Sequence, residues 1–253
     1  MGAIKPREMG VPNKHERFPG QVVNSVASFL GFVQQSCNSF PNVLFRGQEE
    51  GHKLEPKIAR TGWRDGRRVP DVEKSMFEDF QRRALPYLDF KPSSPWEWLA
   101  IAQHHGLPTR LLDWTTNPLA ALWFAVEKPR TRRAVVWMLF PSDQDFVQDI
   151  ESASPFTIRR TKIFQPTHLT RRIVAQNGWF TAHKYMTGDR FIPLERNKAY
   201  SSCLHYVAIE SIAFQGIREE LDRCGVNRAS LFPDLPGVCQ FIQWKHSPLD
   251  DEL

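Results

Sequence analysis

Apolar residues at Val22, Val26, Phe29, Leu30 and Val33 recur at helical spacing through Gln21 to Gln35 and predict an amphipathic helix with one buried face. Asn42 to Phe45 is a short apolar run ending at Arg46-Gly47, which reads as a strand delivering an arginine to its C-terminal end. Helical periodicity returns from Val69 to Leu88 through Met76, Phe77, Phe80, Leu85 and Leu88, with Pro86 limiting or kinking its end. Ser94 as N-cap and Pro95 at the first helical position open a further helix carrying Trp96, Leu99, Ala100 and Ala102, and Gly106 stops it. Asn117-Pro118 repeats that start signal, so Leu119 to Val126 reads as a buried helix fed by a polar loop. Ala134 to Phe140 is almost unbroken in apolar residues and predicts a central strand.

Pro141 to Thr170 is polar and punctuated by Pro and Ser, so loops with one short helix are expected there. Arg172 to Thr181 and Tyr206 to Ile209 carry strand-like runs. Ser211 to Cys224 has helical spacing with Gly225 as its stop, Val238 to Trp244 reads as a last helix, and Lys245 to Leu253 as a charged tail. The first twenty residues mix Pro, Gly, Lys and Glu without periodicity and are expected to form a disordered arm. The whole predicts one α+β domain over residues 21–245, with a mixed β-sheet core and flanking helices.

A chain of 253 residues with 41% hydrophobic and 24% charged residues can bury one large core. It has no window of 18 uninterrupted apolar residues, and Met1 to Glu16 lacks the apolar centre of a secretory signal, so a cytoplasmic location without a membrane partner is expected. Cys37, Cys203, Cys224 and Cys239 are too scattered for a zinc site or a disulfide framework and are expected as buried free thiols. The net charge of +5 favours encounter with polyanions such as nucleic acids or nucleotides, without establishing either.

Three segments concentrate candidate chemistry. In Leu44 to Gln48, the planar fork of Arg46 can hold a phosphate or carboxylate ligand, or pair with a buried carboxylate to brace the fold, and Gly47 permits close approach of a backbone or a ligand. In Gln103 to Pro118, His104 and His105 face different directions and make a poor two-ligand metal site, so one of them as a hydrogen-bond partner to a ligand is preferred. Arg110 and Asp113 are candidates to pair with each other, while Thr115, Thr116 and Asn117 can cap the following helix, whose N-terminus also offers N–H groups to an anion. In Arg171 to Thr181, Gln176 can place an amide beside a pocket wall to which His183 also belongs. The absence of a Gly-rich phosphate loop, a GxSxG elbow, an HExxH helix and an EF-hand lowers the nucleoside triphosphatase, serine hydrolase and zinc protease readings.

These segments resemble the FRG-domain family, named for the Phe-Arg-Gly found here as Phe45, Arg46 and Gly47. Leu54 to Arg60 is similar to its L-x-P-x-x-x-R element, and the run from Trp98 to Ala125, with QHHGLPTRLLDWTTNPLAALWFA, to its longest signature. Val136-Trp137, Arg172 to Thr181 and Leu231 to Leu235 resemble later elements in the same order, so the likeness extends from about Val22 to Trp244. The order of motifs is in turn similar to that of ADP-ribosyltransferases, in which a Thr/Ser-rich strand leads into an apolar helix.

That likeness implies an ADP-ribosyltransferase-like fold with NAD as substrate and no metal. It implies a transferase acting on a nucleic-acid base or a protein side chain, in the manner of a toxin or a phage-defence effector. Arg46 would hold the pyrophosphate or its ribose neighbour, Thr115 and Thr116 would shape the nicotinamide pocket, and His104 or His105 would touch a ribose hydroxyl. Gly47, Arg110 and Asn117 complete the implied cofactor-binding set, and Arg46, His105, Gln176 and Glu210 the implied catalytic one. The pattern departs from such enzymes where their glutamate stands, since Arg172 to Thr181 offers Gln176 and no acid; Glu210, Glu195 and Asp113 remain as substitutes. The alternatives are a non-catalytic module that binds a nucleotide or nucleic acid and, third, a metal-dependent hydrolase using the histidines and Asp113.

Overall fold

The computed structural model describes residues 21–38, 40–63, 66–129, 131–166, 170–186 and 190–252. The expected N-terminal arm lies outside them. Strands β1 (Val22–Val23), β2 (Leu44–Glu49), β3 (Leu111–Thr115), β4 (Ala134–Leu139), β5 (Lys162–Phe164), β6 (Gly178–Ala182) and β9 (Leu204–Ile209) form one mixed sheet in the order β1-β9-β4-β2-β3-β6-β5. Among the ladders between these strands, only β1–β9 is parallel. Apart from this sheet, β7 (Tyr185–Met186) and β8 (Arg190–Phe191) pair antiparallel. The helices are α1 (Val26–Cys37), α2 (Lys57–Arg60), α3 (Val69–Ala84), α4 (Pro95–His104), α5 (Pro118–Val126), α6 (Arg171–Ala175), α7 (Phe214–Arg223), α8 (Arg228–Leu231) and α9 (Leu235–His246). The expected α+β class with a mixed sheet is therefore what the chain adopts.

The pairing is uneven, and this shapes the molecule. β2 and β4 are in register from Leu44↔Leu139 to Glu49↔Ala134, and β3 and β6 from Leu111↔Ala182 to Thr115↔Gly178. Between these two leaves, β2 and β3 meet only at Phe45↔Thr115. Each leaf carries its own apolar layer. Phe29, Val136, Met138, Val207 and Ile217 bury the first under α1, α5 and α7, and Phe77, Trp96, Leu99, Phe164 and Phe180 bury the second under α3 and α4. A third cluster, with Leu44 and Leu139 from one leaf and Leu112, Trp114 and Ile163 from the other, spans both.

Local signals explain much of this. Ser94 accepts a hydrogen bond from the Glu97 backbone N–H at 3.3 Å, and Asn117 accepts from those of Leu119 and Ala120 at 3.0 and 3.3 Å, so both N-caps act as their sequence indicates. α5 lies directly on β2 at Gly47, where an added Cβ would stand 1.9 Å from the Ala121 carbonyl oxygen. The glycine is there so that helix and strand backbones can touch.

Several expectations need correction. Val22 and Val23 belong to a strand beside β9, and α1 starts later because Ser25 caps it through Ser28. Periodicity from Val69 holds to Ala84, after which Leu85–Tyr87 tightens into a 3₁₀ turn around Pro86. The run Arg172 to Thr181 divides: Thr170 caps the short helix α6 by accepting from the Ile173 N–H at 3.2 Å, and the strand starts only at Gly178. The polar stretch that feeds α5, expected as a loop, contains the strand Leu111–Thr115, and Pro141 to Thr170 contributes β5 as well as a 3₁₀ turn at Asp143–Asp145. The four thiols are free, but none is buried: Cys37 and Cys203 are half-buried, and Cys224 and Cys239 are exposed. At the C-terminal end, Asp251 and Glu252 close on the buried Arg218, whose guanidinium also donates to the Val126 carbonyl at 2.9 Å. No described helix is long and apolar enough to cross a membrane.

Candidate functional site

A cleft of about 340 Å³ opens where β2 and β3 separate. Arg46, Gly47 and Gln48 of β2 line it on one side and Asp113, Trp114 and Thr115 of β3 on the other, with Gln103 and His104 from the end of α4. Phe124 of α5, Arg172 and Gln176 at the two ends of α6, and Trp179 of β6 complete the wall. Arg46 bridges the gap that the missing ladder leaves. Its Nη1 donates to the Asp113 carbonyl at 2.8 Å and lies 3.8 Å from the Asp113 carboxylate, while its Nε donates to Gln48 Oε1 at 3.1 Å. Nη2 has no partner among the described residues. Burial lowers the Arg46 pKa, Asp113 opposes that, and Arg60 adds to it; a guanidinium is basic enough to keep its charge at neutral pH.

Asp113 has a side chain 58% exposed and accepts a hydrogen bond from Gln103 Nε2 at 3.1 Å. Gln103 is fixed in turn by Thr109, whose hydroxyl donates to its Oε1 at 2.7 Å. His104 is held neutral: burial, His105 and Arg172 bring its pKa down to about 4, against the pull of Asp234. A neutral imidazole in a cleft can both donate and accept. Beneath the cleft, Trp114 Nε1 donates to Thr181 Oγ1 at 3.1 Å, which lies 3.1 Å from His183 Nε2. His183 is buried, and desolvation together with the charge of Arg46 brings its pKa down to about 3, so it supports the wall as a neutral ring.

The structure thus gathers Arg46, Gly47, His104, Thr115 and Gln176 around one cavity, and leaves other candidates outside it. The Thr115 hydroxyl donates to the Gln176 carbonyl at 2.6 Å and accepts from the Asn117 N–H at 2.9 Å, and Gln176 Nε2 donates to the Leu231 carbonyl at 3.0 Å, so both side chains are engaged in fastening α6. His105 is exposed at the C-cap of α4, Thr116 is exposed, and Asn117 is occupied as a cap; none of the three lines the cleft. Arg110 does not pair with Asp113. It is buried against Glu73, which accepts from both Nε and Nη2, and its Nη1 donates to the Pro155 carbonyl at 2.8 Å. Glu210 is paired with Arg133 away from the cleft, and Glu195 accepts from the Leu54 N–H at 3.1 Å. Of the candidate acids, Asp113 is the one at the cavity.

Arg172 belongs to the cleft and residue pattern alone does not single it out. Its guanidinium stacks on Phe232 at 4.0 Å from the ring centroid. The signal that could have found it is Thr170, a cap residue that makes the next positions a helix start and turns Arg172 toward β2 and β3. Among the described residues no group of three or more His, Cys, Asp or Glu side chains could hold a metal ion.

Residues 41–134 match the family model of the FRG domain. The FRG match covers β2, β3, α4 and α5, and so supplies both sides of the split in the sheet, Arg46 and Asp113 included. Arg172, Gln176 and Trp179 close the cleft from beyond the FRG match. Comparison with curated proteins and with solved structures gives no match.

Proposed function

We propose that this cleft binds NAD and that the chain is an ADP-ribosyltransferase-like enzyme. One observation carries the reading: Arg46 and Asp113 face each other across a sheet that has parted, 3.8 Å between Nη1 and the carboxylate, with Nη2 of the arginine unpartnered among the described residues and beside open space. A guanidinium with a free edge offers an anchor for the negative part of a dinucleotide. A carboxylate next to it can stabilise the positive charge that grows on the ribose ring as the nicotinamide–ribose bond breaks. In that reaction nicotinamide leaves with the bonding electron pair and an acceptor nucleophile forms the new bond to C1′. Asp113 takes the role for which Glu210 and Gln176 are poorly placed, the first because it serves Arg133 and the second because its amide holds Leu231. His104, neutral at physiological pH, is suited to a ribose hydroxyl, and Trp114, Phe124 and Trp179 offer flat apolar surface to a ring.

The test is to incubate the chain with NAD and follow free nicotinamide, with calorimetric titration of NAD in parallel. Wild type releases nicotinamide, Asp113→Asn binds NAD without release, and Arg46→Ala does neither. Binding without release in wild type would favour the non-catalytic nucleotide module, and neither binding nor release removes the reading.

A further inference from the structure

An arginine withdrawn from water needs an anionic or hydrogen-bonding partner, because desolvating the charge is otherwise uncompensated. The other arginines that are not exposed follow this rule. Arg110 is closed by Glu73, Arg160 by Asp145, Arg218 by Asp251 and Glu252, and Arg228 by Glu127, while Arg46 has Asp113 at 3.8 Å. Arg172, half-buried in the cleft wall, has no carboxylate at ion-pair distance and no side-chain hydrogen bond among the described residues.

Its neighbour makes the contrast sharper. Arg228 stacks on the same Phe232 ring, at 4.1 Å, and is neutralised by Glu127 at 3.0 Å. Stacking fixes the plane of a guanidinium but leaves its N–H edge unsatisfied. Burial lowers the pKa of Arg172 as it does that of Arg46, and in both the largest opposing influence is the Asp113 carboxylate. Both side chains line the same cavity together with Asp113, so the two cations address one space. The carboxylate between their fields is largely exposed and held by one hydrogen bond from Gln103, so a rotamer change can move it aside for a stronger anion.

We propose that Arg172 and Arg46 form a two-point clamp for a diphosphate group, so that the cleft selects ligands with two linked phosphates over nucleosides and monophosphates. The inference rests on the nucleotide reading of the cleft and specifies which part of the ligand that reading depends on. Each guanidinium presents a planar edge to one phosphate, a fit that a point charge such as lysine does not reproduce.

Inorganic pyrophosphate and inorganic phosphate are titrated calorimetrically into the full chain, as wild type, Arg172→Gln and Arg172→Lys, with thermal unfolding of each as a check on folding. Pyrophosphate is expected to bind wild type about tenfold to a hundredfold more tightly than phosphate, the range for one charged hydrogen-bonding partner. Arg172→Gln brings that ratio close to one, and Arg172→Lys gives an intermediate value. Equal affinity for the two anions in wild type, or a ratio unchanged by Arg172→Gln, overturns the clamp. Should Arg172→Gln fail to fold, Arg172→Lys carries the test, and a wild-type ratio in that variant overturns it. Titration with ADP and NAD separates the two proposals: pyrophosphate binding through Arg172 without binding of either nucleotide leaves the clamp standing and removes the nucleotide reading. Nucleotide binding indifferent to Arg172 does the reverse.

Discussion

Arg110 and Arg46 flank the same strand, β3, and the molecule uses them in opposite ways. Arg110 has a side chain 4% exposed; Glu73 takes two of its donor positions, the Pro155 carbonyl a third, and the Phe156 ring lies 5.0 Å from its central carbon. Arg46 is 20% exposed and spends its hydrogen bonds on a carbonyl and an amide, so that its charge is only partly answered and one edge stays open. Residue type does not separate the two, since both stand in motif-like segments. What separates them is the partner: a carboxylate at full contact makes an arginine part of the scaffold, and its absence leaves the charge for something that comes from outside.

The comparison can be broken most directly at Glu73. Glu73→Ala strands a buried guanidinium and is expected to cost about 3–5 kcal/mol in urea unfolding, and stability equal to wild type would show that the pair does not hold the scaffold. Gly47→Ala is next. It drives a Cβ into the Ala121 carbonyl oxygen and lifts α5 from β2, with an expected loss of roughly 1–3 kcal/mol in the same assay. Arg46→Ala removes no carboxylate-closed pair and is expected to cost about 1 kcal/mol while abolishing ligand binding; a loss as large as that of Glu73→Ala would erase the distinction between the two arginines.

The histidines give a smaller, pH-dependent effect. In the unfolded chain an imidazole takes a proton near pH 6.5, whereas folded His183 resists to about 3 and His104 to about 4. Below about pH 6.5 the unfolded state therefore binds more protons, and stability falls as pH drops through that window. The Tm of wild type should decline from pH 7 to pH 5 by more than that of His183→Gln, and equal declines would show that His183 does not contribute. Smallest of all, Glu210→Gln breaks an exposed pair with Arg133 that water and salt already screen, and no measurable change in Tm or in nicotinamide release is expected.

The sequence was most readable where a local rule acts alone. Ser94-Pro95 and Asn117-Pro118 announce α4 and α5 because a cap is decided by residues within one turn, and Ala134 to Leu139 is a strand because its apolar run is covered on both faces. β3 was hidden because Asp113 faces the cleft and Thr115 holds the Gln176 carbonyl, so a strand beside an open cavity carries the polarity of a loop. The site was legible in part. Arg46 and His104 could be marked from their motifs, but that Asp113 and not Glu210 lies at the cavity depends on register: Glu210 follows Ile209, which pairs with Ala134, three positions along β4 from Trp137, the partner of Arg46. Nothing local reveals that Arg110 finds Glu73, 37 positions away.

The seam at Phe45 and Thr115 has a mechanical corollary. Where most neighbouring strands are stitched along their length, β2 and β3 share one ladder pair, and beyond it a single guanidinium reaches across to a carbonyl. Part of the cavity's edge is therefore held by a side chain and not by a ladder, so a substitution at position 46 alters the opening without unpicking the ladder on either side.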